Sequence, residues 1–160
     1  MRKIKTFEAY LDKMNEITVY LAKSYYNGDS EEFKIKKPDG TREKLTIKEV
    51  ESAGEYKKYK LKVNEIEIGQ EYKLVDDHHL VVPLQYGHVV RTAEFDDLFF
   101  YDGDDLGATY SPNKTKFKVW APTATRVKVD LEYEDNCQTV EMERGDKGVW
   151  QVEIGRASCR

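Results

Sequence analysis

Cysteine, net positive charge and long apolar runs are all scarce in this 160-residue chain, and each shortage removes a class of protein. Two cysteines, Cys137 and Cys159, cannot staple a disulfide-dense secreted domain, so a packed core has to supply the stability. No stretch approaches the ~18 consecutive apolar residues of a membrane-spanning helix. The amino-terminal MRKIKTFEAYLDKMNEI begins basic, but its charges return before an apolar stretch of signal-peptide length develops. A cytoplasmic location is therefore the default expectation, with no membrane partner. The 26 Lys and Arg are outnumbered by 30 Asp and Glu, for a formal net charge of -4, so no bulk cationic field exists to neutralise phosphates. Nucleic acid is not expected as a partner. Lys57, Lys58 and Lys60 alternate with tyrosines and read as a solvated strand face, where lysine also blunts edge pairing.

What the chain has instead is aromatic residues, 12% of the total with eleven tyrosines among them, beside 35% charged residues. That balance fits a wet-surfaced globular protein and not a disordered tail. The length has room for two small domains. Phe7, Tyr10, Leu11 and Met14 recur at helical spacing and predict one short amphipathic turn, followed by the strand EITVYLA. Period two then dominates. Phe33 with Ile35 and Leu45 with Ile47 read as a hairpin around Pro38-Asp39-Gly40, and Leu61, Val63, Ile66 and Ile68 continue the alternation. DDHHLVVPLQYG and HVVRTAEF predict two more strands, giving a small β-sandwich of six or seven strands over residues 1–95.

The second half alternates more cleanly. Phe117 and Val119 read as inward-facing, as do Val127, Val129, Leu131 and Tyr133, while Val140 and Met142 are answered across Gly145-Asp146-Lys147-Gly148 by Trp150, Val152 and Ile154. About four strands are predicted over residues 111–154, too few for a complete sandwich. Residues 96–110 read as a linker with a turn leading into this second domain. Residues 154–160, ending in Gly-Arg-Ala-Ser-Cys-Arg, lose all periodicity and read as a non-native tail.

The acidic stretch Tyr101-Asp102-Gly103-Asp104-Asp105 raises the question of a metal or catalytic site. Taken as a calcium loop from Asp102, it places Leu106 at the fifth position and Asn113 at the twelfth, where a bidentate glutamate belongs, so the ligand set fails. Turn chemistry explains it better, since glycine reaches positive φ and aspartate caps its own turn. His78 and His79 are adjacent and would point to opposite faces of a strand, and His88 stands apart. No metal, no cofactor and no catalytic residue is expected. No nucleophile elbow or P-loop occurs, and Asp96 with Asp97 says nothing about the facing carboxylates of a glycosidase. Trp120 carries the most information. It falls in the outward phase with Lys116 and Lys118 and asks for a partner, either a sugar ring stacked on the indole or another domain. Trp120, Lys118 and Tyr110 are the candidate glycan- or domain-contact residues.

YDGDDLGATYSPNKTKFKVWAPTATRVKVDL resembles a segment of type I pullulanases, the α-1,6-debranching enzymes of the α-amylase superfamily. The matching pattern runs Y-D-G, L-G-A-x-Y, then F-x-V-W-A-P-x-A and an alternating strand. FEAYLDKMNEITVYL and HVVRTAEFDDLFFYDG extend the resemblance over nearly all of residues 4–154. The resemblance implies an all-β chain: an immunoglobulin-like β-sandwich, then an incomplete second sandwich of the E-set type, the start of a carbohydrate-binding module of family 48. It further implies a downstream catalytic barrel as intramolecular partner, with the catalytic carboxylates outside this chain, so that the chain itself is inactive. α-Glucan (starch, glycogen or pullulan) is the implied polymer partner. The alternative is a stand-alone β-sandwich that binds a glycan or a protein.

Overall fold

The computed structural model describes residues 6–133 and 136–155, and no described helix is long and apolar enough to cross a membrane. The chain divides into two compact units, the first ending at Asp96 and the second beginning at Asp97. Among the described residues seven strands build the first: β1 (Phe7–Lys13), β2 (Glu16–Ala22), β3 (Phe33–Lys36), β4 (Arg42–Ala53), β5 (Tyr56–Lys62), β6 (Lys73–Asp76) and β7 (Val81–Tyr86). The amphipathic helical turn predicted around Phe7 and Tyr10 is instead strand β1. Its inward set is Phe7, Ala9 and Leu11, each paired across the ladder with Leu21, Val19 and Ile17 of β2. All six side chains are buried, at about 1.5–3 kcal/mol of stabilisation for each large one.

The expected hairpin is present, with Phe33 opposite Leu45. Phe33 packs between the rings of Phe7 and Tyr59, and the buried Tyr59 hydroxyl donates to the Gly28 carbonyl at 2.6 Å. The alternation through Val63, Ile66 and Ile68 does not continue as a strand. After Lys62 the chain leaves the sheet, although Val63 and Ile68 remain buried. HVVRTAEF is likewise not a strand but a 3-10 turn (His88–Arg91) followed by a helix, α1 (Ala93–Phe99). The Thr92 hydroxyl accepts the Phe95 amide at 3.3 Å, an N-cap, and Glu94 and Asp96 occupy the helix's first turn.

Two facing sheets were expected; the hydrogen-bond ladder instead closes into a barrel in the order β1-β2-β5-β4-β3-β6-β7. The twelve-residue β4 is the reason. Residues Arg42 to Leu45 pair with β3, whereas Thr46 to Ala53 pair with β5, with a bulge between Ile47 and Glu49. A strand that crosses between sheets removes the open edge on one side. On the other, β1 and β7 pair in parallel, Ala9 opposite Leu84, which completes the ring.

Among the described residues the second unit has six strands, five of them in the region 111–154 where about four were predicted: β8 (Gly107–Tyr110), β9 (Lys114–Trp120), β10 (Lys128–Tyr133), β11 (Asn136–Glu141), β12 (Glu143–Arg144) and β13 (Val149–Gly155). They form a four-stranded sheet, β12-β13-β9-β8, and a separate β10-β11 hairpin. The stretch 96–110, read as a linker from sequence, contributes the end of α1 and the edge strand β8. Ile154 and Gly155, assigned above to a non-native tail, continue β13 opposite Thr115 and Lys114, Ile154 being buried; the rest of that assignment, residues 156–160, lies outside the described residues.

Candidate functional site

Strand β9 presents the candidate contact residues, and its register decides which of them can act together. Paired residues of an antiparallel ladder share a face. Tyr110 lies opposite Thr115, so it belongs to the face of Phe117 and Val119, whereas Lys118 lies opposite Gly107 on the face that also carries Trp120. Tyr110 is therefore 75% exposed but on the other side of the sheet from Trp120 and Lys118, and the three form no single platform. Trp120 is 44% exposed at the strand end, and its indole N–H donates to the Phe99 carbonyl at 2.8 Å. The polar edge of the ring is thereby spent locally while an apolar face stays open. Val119, predicted inward, is exposed as well, and Leu98, Phe100 and Leu106 add exposed apolar side chains along the same stretch of chain. Trp150 is the buried tryptophan, its N–H bonded to the Ala121 carbonyl at 3.0 Å.

Lys118 is already engaged. Its ammonium donates to Asp105, which also accepts the Tyr101 hydroxyl, and only 15% of the lysine side chain is exposed. The hydrogen bond from Lys118, then that from Tyr101, holds the Asp105 carboxyl below the usual carboxylate range. The same bonds to Asp105 raise Lys118 and Tyr101 above their ordinary values. The acidic turn thus works as an internal clamp that ties the segment before β8 to β9.

The histidines also sit differently from the sequence reading. His78 and His79 lie in the β6–β7 turn and not on a strand, with His79 at φ 68. His88 opens the 3-10 turn, its amide donating to Asp12 at 2.9 Å. Around His78 the fold gathers a polar cluster that the sequence reading missed. The Tyr26 ring stacks on the imidazole at 3.5 Å between centroids, and the His78 Nδ1 faces Asp77 at 2.9 Å and Asp76 at 3.4 Å. Burial, then a hydrogen bond to Asp76, pushes the Tyr25 hydroxyl up to about 12. The run Asp76-Asp77-His78 was a usable signal, had the acids been weighed with the imidazole and not the two histidines with each other. The lysines of β5 are partly exposed, and two are ion-paired, Lys57 with Asp29 and Lys60 with Glu49, but β5 is hydrogen-bonded on both sides, to β2 and β4, so they blunt no sheet edge.

Known proteins share both units. The pullulanase N1-terminal domain family matches residues 7–91, and carbohydrate-binding module 48 (isoamylase N-terminal domain) matches residues 105–158. A pullulanase of Bacillus subtilis (strain 168) is 36% identical over 156 residues, which is 94% of this chain and 21% of that protein. The crystal structure of a pullulanase from Anoxybacillus sp. LM18-11 complexed with maltotriose superimposes with a TM-score of 0.88 at 40% identity, covering 94% of this chain and 22% of that one. That of pullulanase type I from Bacillus subtilis str. 168 complexed with maltose gives 0.85 at 35% identity over 97% of this chain and 22% of that one. The chain spans about a fifth of the length of these relatives. With its seven-stranded first unit inside the matched region, the chain belongs to the pullulanase N1-terminal domain family.

Proposed function

We propose that this chain is the accessory N-terminal part of an enzyme that hydrolyses α-1,6-glucosidic branch linkages, and that it cleaves nothing itself. The observation that carries this reading is the match of nearly the whole chain to about a fifth of known pullulanases. On this reading the pair of opposed carboxylates required for glycoside hydrolysis belongs to a barrel elsewhere in the full enzyme. The second unit is read as a sandwich of the carbohydrate-binding module 48 type, its layers being the four-stranded sheet and the β10-β11 hairpin. The partner is then an α-glucan, the class to which maltotriose and maltose belong, or the barrel.

Trp120 is the contact we assign to that role, because its ring face is open while its N–H is satisfied. The test is Trp120→Ala in two settings, the chain alone and the chain fused to the remainder of the Bacillus subtilis pullulanase. In the fusion, pullulan affinity or docking stability falls by about 2–4 kcal/mol, the range of a buried aromatic anchor. In the chain alone the loss is limited to about 1 kcal/mol from the broken Phe99 hydrogen bond. Equal destabilisation in both settings would make Trp120 ordinary framework and remove the contact from the proposal.

A further inference from the structure

The polar cluster at the β6–β7 turn has a geometry that neither the glucan reading nor the barrel reading uses. Asp76 ends β6 with its side chain fully buried, 0% exposed. Its Oδ1 accepts the Leu80 amide at 2.7 Å and the Tyr25 hydroxyl also hydrogen-bonds this carboxyl, but the Oδ2 is buried with no hydrogen-bond partner, and so is the His78 Nδ1. Buried polar atoms left without a hydrogen-bond partner carry a desolvation cost. Among the described residues no lysine or arginine pairs with Asp76 or Asp77; the ion-pair partner of both is His78. Two carboxylates side by side with no fixed cation beside them attract a dication.

We propose that Asp76 Oδ2, Asp77 Oδ1 and His78 Nδ1 bind a divalent transition-metal ion of the zinc type at the β6–β7 turn, beside the Tyr26 ring stacked on His78. The imidazole lies 3.4 Å from one carboxylate and 2.9 Å from the other, and all three ligand atoms fall within 4.8 Å of one another. For bonds of about 2.0–2.2 Å, neighbouring ligand atoms of a tetrahedral zinc site lie roughly 3.3 Å apart, so the triangle is close to the size the ion requires. One nitrogen with two carboxylate oxygens favours zinc over calcium, which takes six or more oxygens. Asp77 lies at the surface, which leaves the fourth position to water.

Each ligand is also held from behind. Asp77 accepts the Ser30 hydroxyl at 2.7 Å and the Glu31 amide at 3.0 Å, and the Leu80 amide fixes Asp76. The His78 ring is clamped between the stacked Tyr26 and the edge of Tyr25, 5.6 Å away. Such outer contacts set ligand orientation before the ion arrives.

The experiment is a calorimetric titration of the 160-residue chain with zinc chloride, alongside proton NMR of the wild type with cobalt chloride. The proposal expects one ion per chain, affinity lowered roughly tenfold or more by Asp76→Asn and by His78→Gln, and no change with His79→Gln or His88→Gln. Cobalt should broaden Tyr26 and His78 first, a readout that does not depend on any variant folding. Absence of one-to-one binding at millimolar metal would mean that His78 merely bridges the two acids, and the proposal falls. It falls equally if both ligand variants still bind one ion, or if cobalt broadening centres on His88 or Cys137. These outcomes are separate from the fate of the Trp120 contact.

Discussion

Tyr25 shows how one side chain reports on its surroundings. Burial first and the Asp76 hydrogen bond second raise its hydroxyl to about 12, against ~10 for a tyrosine in an unfolded chain. The folded state holds the phenolic proton more tightly than the unfolded state does. The resulting stabilisation is complete below about pH 10 and is lost as the pH rises through about 12. An NMR titration of the tyrosine ring carbons should find the Tyr25 midpoint raised to about 12, with Asp76→Asn moving it back toward ~10; a Tyr25 midpoint near 10 in the wild type would contradict the arrangement. This environment was not readable from sequence, because Tyr25 and Asp76 meet only when β3 aligns with β6. The outward phase of Trp120 was readable from its place in β9. Tyr110 was not, since the β8–β9 register determines its face and a one-residue shift would have reversed it. The engagement of Lys118 was not readable either: its pairing with Asp105 spans a turn that spacing does not describe.

At the level of elements, the sequence was clearest where large inward residues alternate, as in β3, β9 and β13. β1 was misread because Ala9 is too small to register as a core position, so Phe7, Tyr10, Leu11 and Met14 imitated a helical stripe. α1 was missed because two valines outweighed the Thr92 cap and the acids after it, which are the signals of a helix start. The turn into β13 depends on one glycine. Gly148 has φ 73, its carbonyl accepts the Ala121 amide at 2.9 Å, and a Cβ there would strike Pro122. Gly148→Ala combines a left-handed backbone penalty with overpacking and should destabilise the second unit by about 2–4 kcal/mol. Denaturant unfolding followed by tryptophan fluorescence measures it, because Trp120 and Trp150, the chain's two tryptophans, both lie in that unit. A change below about 0.5 kcal/mol, the scatter of ordinary surface substitutions, would show that the contact relaxes freely.

For the whole molecule, the all-β character and the pullulanase resemblance were legible, the first from sustained period two and the second from a long ordered motif centred on Phe117 to Ala124. Closure of the first unit was not. It depends on β4 changing partners and on β1 meeting β7 in parallel across most of the unit's length, and non-local pairings leave no periodic trace. The proposed role is that this chain assists a debranching reaction without performing it. Reducing-sugar release from pullulan tests that most directly, with the purified chain set beside its fusion to the remainder of the Bacillus subtilis pullulanase. Release by the fusion and none above buffer by the chain alone is the expected result; sustained release by the chain alone would contradict the proposed role.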